Sequence, residues 1–111
     1  MDSRERRVTL VRALHAHRGE TETLRIEAGG ETLEFSNSVL RVPAPVETVE
    51  PFLAEHPVFK VKQPETRKAS EGVTFVSAKA DANHLAGFID AVFEDLFSLG
   101  DGYDLAVSVV D

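Results

Sequence analysis

The chain has no cysteine and no tryptophan, and a single tyrosine and a single methionine among its 111 residues. Without cysteine it can form no disulfide, no thiolate nucleophile and no Cys-ligated zinc site. No apolar run approaches the length of a bilayer crossing. The charged start, Met1-Asp2-Ser3-Arg4-Glu5-Arg6-Arg7, is not followed by the apolar stretch of a signal peptide. These absences predict an untargeted, cytoplasmic protein that engages no membrane. No Gly-rich phosphate cradle is present, and no cofactor is expected.

What is present suits one folded domain, residues 1–111. The apolar fraction is 42%, ordinary for a globular chain, and 111 residues match a single hydrophobic core. The net charge is −7, and its distribution says more than the sum. Residues 1–18 carry five arginines against Asp2 and Glu5, a net of +3. Residues 80–111 carry Asp81, Asp90, Glu94, Asp95, Asp101, Asp104 and Asp111 with no lysine or arginine, a net of −7. A basic start and an acidic end can attract one another, within a chain or between chains. The plainer expectation is two solvated faces that never meet. Eight arginines against four lysines, with acids in excess of both, resemble the composition of small uncharacterised proteins of salt-loving (halophilic) archaea.

The clearest segment is 81–110. Leu85, Phe88, Ile89, Val92, Phe93, Leu96 and Phe97 form one wide apolar helical face behind an N-cap at Asp81. Gly100-Asp101-Gly102 then leads into a strand over 103–110. Residues 22–35 predict a hairpin turning at Gly29-Gly30. That turn sets Ala28 opposite Glu31, Ile26 opposite Leu33 and Leu24 opposite Phe35, with Arg25 against Glu34 on the other side. Residues 3–18 favour a helix capped by Ser3, with Val8, Val11 and Leu14 on one face, although Val8-Thr9-Leu10-Val11 also suits a strand. Further strands are expected at 39–42, 58–63 and 72–80, with a polar loop at 64–71. A short helix at 46–56 completes the set, with Pro51 in its first turn if it begins near Val49.

From Val39 the order is strand, helix, strand, strand, helix, strand. The expected class is therefore α+β, ferredoxin-like βαββαβ, with an antiparallel sheet and both helices on one face. Residues 1–38 would extend this 39–111 core as a helix and a hairpin. The uncovered sheet face is then the place to look for function. Alternation puts Lys60 and Lys62 there if Phe59 and Val61 face the helices. It sets Val73, Phe75, Ser77 and Lys79 together without saying which side they take.

The run Glu71-Gly72-Val73-Thr74-Phe75-Val76-Ser77-Ala78 resembles the RNP1 box of the RNA-recognition motif. It lies on the third strand of the same element order. That box stacks bases on aromatics at its third and fifth positions, here Val73 and Phe75, and only Phe75 keeps the aromatic ring that the resemblance requires for stacking. Glu71 stands where that box opens on a basic residue, and Leu40 stands where its partner box carries an aromatic.

Other chemistry is sparse. His15 and His17 are the nearest pair to a metal signature, and His56 and His84 are remote in sequence. Asp90, Glu94 and Asp95 share the polar side of the last helix and read as a solvated face. Ser36-Asn37-Ser38 reads as a turn, since no base is assigned to a nucleophile there. Lys60, Lys62, Arg67 and Lys68 give a local net of +3 against Glu65, a candidate anion site. The expectation is a non-catalytic interaction or regulatory module, using Lys60, Lys62, Arg67, Lys68, Val73, Phe75 and Lys79. Its occupant would be a protein partner or a second copy in a homodimer, with the N-terminal segment as another cover for the open face. A single-stranded RNA or other anion binder ranks second, and a small enzyme third.

Overall fold

The computed structural model describes residues 2–17, 21–62, 72–100 and 102–110. The first helix, α1 (Ser3–Ala16), is followed by strands β1 (Thr23–Ala28), β2 (Glu31–Ser36) and β3 (Val39–Val42). Helix α2 (Val46–Leu53), strands β4 (Lys60–Val61) and β5 (Thr74–Ser77), helix α3 (Ala82–Ala91) and strand β6 (Ala106–Val110) complete the order. Every strand pair is antiparallel, in one six-stranded sheet ordered β4-β5-β3-β2-β1-β6.

That order corrects the ferredoxin-like expectation. A four-stranded sheet would have paired β6 directly with β3. Instead the β1–β2 hairpin stands between them, and β6 pairs with β1. Residues 1–38 are thus no appendage, because they supply the middle of the sheet. The hairpin itself forms in the register its turn dictates: Leu24 opposite Phe35, Arg25 opposite Glu34, Ile26 opposite Leu33. Gly29 and Gly30 take φ of 55° and 83°, as a tight hairpin turn requires. A methyl group at Gly29 would also lie 2.6 Å from Leu99 Cδ2, so that side chain would have to move. The next turn, Asn37–Ser38, also has two residues at positive φ, 51° and 62°, and joins Ser36 to Val39.

One sheet face is buried. Leu24, Ile26, Leu33, Leu40, Val42 and Val76 point into a core completed by Leu10, Val49, Leu53, Leu85, Phe88, Ile89 and Phe93 from the helices. All three α-helices therefore lie on the same side. Asp81 caps α3, its carboxylate accepting from the His84 N–H at 2.8 Å. The helix does not continue as a plain α-helix to Phe97. Val92–Leu96 widens into a π-turn, with the Phe97 N–H reaching the Val92 carbonyl at 2.9 Å.

The remaining departures have local causes. Asp2, not Ser3, caps α1 by accepting from the Glu5 N–H. The buried line of α1 is Arg6 and Leu10, whereas Val8 is 43% exposed. Helix α2 begins at Val46, so Pro51 lies in its second turn rather than its first. Strand β4 is two residues long because a turn, with the Phe59 N–H bound to the His56 carbonyl, takes Val58 out of the ladder. Strand β6 begins at Ala106 because its last rung is Glu27–Ala106.

Two outcomes test this architecture. A chain lacking residues 1–38 leaves β6 with no partner, and thermal unfolding followed by circular dichroism should show no cooperative transition. Retention of a cooperative transition would mean that 39–111 is self-sufficient after all. Ser38→Gly relieves a positive φ that an L side chain adopts at a cost of about 1 kcal/mol. Its urea midpoint should rise accordingly, with the slope unchanged.

Candidate functional site

The open face is built by strand register. Ser108, Arg25, Glu34, Arg41 and Phe75 are successive cross-strand partners, forming one row over five strands. Lys62 extends the row, its N–H donating to the Phe75 carbonyl at 2.8 Å. The next row runs Ser36, Val39, Ser77, Lys60. Arg25 reaches Glu34 at 3.4 Å, and Arg41 reaches the other oxygen of Glu34 at 3.7 Å. These pairs are partly exposed, so each contributes at most about 1 kcal/mol. Glu34 is shared by two guanidinium groups, which leaves the relay with a net positive charge. Phe75, half-buried, thus stands between Arg41 and Lys62 with Lys60 one rung away.

Register settles what alternation left open. Phe75 is on the open face, since its neighbours Thr74 and Val76 are buried toward the helices. Val61 pairs with Val76 on the covered side, which puts Lys60 on the open one. Val73 is half-buried just before β5, and Lys79 is exposed two residues beyond its end. Arg67 and Lys68 lie outside the described residues. Leu40, the position an RNP2-like box would use, is fully buried in the core. The open positions of β3 are Val39 and Arg41. Helix α1 does not cover this face, because it packs along α3 on the opposite side.

Arg25, Glu34 and Arg41 were missing from the sequence-derived site. The signal was present: reading Asn37-Ser38 as a two-residue turn sets Ser36 against Val39 and hence Glu34 against Arg41.

The histidines are placed separately. His15 is exposed, and His17 donates through Nε2 to the Glu22 carbonyl at 2.7 Å while resting on Phe35. His56 and His84, remote in sequence, line one shallow hollow of about 340 Å³ floored by Phe59 and Phe88, whose rings stack at 3.9 Å. His84 also binds Asp81, its ring nitrogen 2.8 Å from the carboxylate. Among the described residues no three His, Asp or Glu side chains are grouped to hold a metal ion. No described helix is long and apolar enough to cross a membrane.

The acidic side of α3 is not all solvated, contrary to the expectation from sequence. Asp90 is not solvated but buried, with Arg6 Nε donating to its Oδ1 at 2.9 Å. The basic start and the acidic end therefore do meet, inside the molecule. The Tyr103 hydroxyl donates to the same oxygen at 2.5 Å, and Arg6 donates to the Tyr103 carbonyl at 2.9 Å. The guanidinium also lies 3.9 Å from the Tyr103 ring centroid. Burial works against the Arg6 charge, but the Asp90 and Tyr103 contacts together outweigh it and hold the group above its ordinary value. Burial, then the Asp90 carboxylate, pushes the Tyr103 phenol well up.

A family model spans this whole arrangement, residues 1–110, and is described as a family of unknown function, DUF7975. The chain belongs to that family. No curated protein and no solved structure matches it. Membership thus brings no activity with it, and the geometry carries the functional argument.

The buried triad makes a testable prediction. Asp90→Ala takes the carboxylate away from a buried guanidinium and should cost about 3–5 kcal/mol in urea unfolding. A raised phenol contributes stability that is complete below its ordinary value of 10.0 and is lost as pH climbs above it. Tyr103 is the single tyrosine of a chain without tryptophan, so tyrosinate absorbance reports it alone. It should ionise only above pH 10.0, and ionisation at the ordinary value in folded protein would contradict the geometry.

Proposed function

We propose that this protein is a non-catalytic interaction module that docks an acidic segment of a partner protein on the β3–β5–β4 corner of its open sheet face. The observation that carries the reading is Phe75 held on that face between Arg41 and Lys62. An aromatic ring flanked by arginine and lysine provides both a desolvated contact and charge. Aromatic and arginine side chains are enriched at protein interfaces, and lysine adds long-range attraction for an acidic partner. In a chain of net charge −7, this corner is where an acidic segment is attracted rather than repelled.

A second reading takes single-stranded RNA as the ligand. It is favoured by the same ring, because an aromatic on an open strand beside cations is a stacking platform for any base.

The test is fluorescence anisotropy with a labelled glutamate-rich peptide and a labelled oligouridylate over a salt series. The peptide should bind and weaken as salt rises. Phe75→Ala should raise its Kd at least tenfold, a loss of about 1.4 kcal/mol. Lys60→Glu with Lys62→Glu should remove binding. Tighter binding of oligouridylate would replace this reading by the RNA one, and no binding of either probe would sink both.

A further inference from the structure

The two edges of the sheet are not alike. Strand β4 is two residues long, carries Lys60, and is flanked by Lys62 on one side and Pro57 on the other. Short length, lysine and proline are the devices by which proteins keep an edge from pairing. Strand β6 has none of them. It runs five residues, Ala106-Val107-Ser108-Val109-Val110, with no charge, no proline and no glycine. One side of it is hydrogen-bonded to β1, and in the strand order it is terminal. Val109 is 55% exposed, although its partner Leu24 is buried. A strand of this composition, with no strand on its outer side among the described residues, is a template for another strand.

We infer that β6 is a dimerisation edge, and that its occupant is β6 of a second copy of this chain, paired antiparallel about a two-fold axis at Ser108. The sequence is self-complementary in that register. Val107 and Val109 lie on the helix-covered side, since their partners Ile26 and Leu24 do. Each Val109 would meet the other copy's Val107, which buries the exposed valine on the side where the core lies. Ser108 would face Ser108, and Ala106 would face Val110, on the open side. No residue of the strand brings a charge to the axis. The nearest charged partner on that row is Arg25 on β1, one strand in. The two Arg25 positions would be three strand spacings apart, about 14 Å. That exceeds the screening length of about 8 Å at physiological salt, so they do not oppose the pairing.

The interface is small. One edge pair buries less than the roughly 1,200 Å² of a standard interface, so the dimer forms in proportion to concentration. Two copies of net charge −7 also repel one another. Added salt should therefore strengthen the dimer, opposite in sign to the salt response of the basic corner. The two surfaces are distinguishable by that sign alone.

The test uses the full chain. Because it has no cysteine, Ser108→Cys introduces a single thiol. Directly opposed positions in an antiparallel pair have Cα atoms about 4.5–5.5 Å apart, within disulfide reach. Mild oxidation should give a covalent species of twice the 12.2 kDa chain mass. Thr32→Cys, on the open face of the interior strand β2, should give none. Ser108→Lys and Ser108→Glu should each sediment as monomers with unchanged circular dichroism. Their equimolar mixture should regain the dimer through opposite charges at the axis. A strict monomer at all concentrations, or equal cross-linking at Thr32→Cys, would overturn the inference. So would loss of glutamate-peptide binding in Ser108→Lys with no change in mass, since the edge would then take a foreign strand.

Discussion

The fold is organised around a charge that has left water. Arg6 is fully buried, and a buried guanidinium is tolerable only where a carboxylate and further acceptors meet it. Asp90 supplies the carboxylate, and the Tyr103 carbonyl supplies another acceptor. These residues come from the first helix, the third helix and the segment leading to the last strand. One solution satisfies all of them: α1 lies along α3, on the side of the sheet that α3 already covers. A replacement of the triad by apolar groups of equal volume need not weaken the protein. The role that its geometry supports is selection of one docking position for α1. By holding α1 in the helix layer, the triad also keeps it off the far side of the sheet.

Local features were legible in the sequence, and long-range partnerships were not. The hairpin register could be computed because Gly29-Gly30 fixes which residues face each other. The α3 cap and stripe could be read because capping and helical periodicity act within a few residues. The place of the hairpin in the sheet is a different matter. Nothing in β6 distinguishes β1 from β3 as a neighbour, since each offers it an apolar covered side, Leu24 and Ile26 in one and Leu40 and Val42 in the other. Arg6 and Asp90 were assigned to water because a charged residue read alone belongs there. The opposite charge that each one meets lies 84 positions away. The basic corner was half legible: Lys60, Lys62 and Phe75 were identified, but Arg41 depends on a turn without glycine. The RNP1-like run falls on an open-face strand, yet its expected companion, Leu40, packs inward.

The one-sided helix layer gives the sheet two unlike resources. Its covered side is filled by the core. Its open side is mostly polar, small or charged, with an aromatic and cationic concentration at the β5–β4 end. A family of unknown function lends no chemistry to either surface, so the reading rests on which side chains share a row.

The strand order also separates these resources in space. Phe75 on β5 and Ser108 on β6 are four strand spacings apart along one row, about 19 Å. A segment bound at one would not touch the other. Joined copies would therefore present a pair of identical sockets on one continuous surface, and a ligand with two tethered recognition stretches would be held by effective concentration as well as by contact.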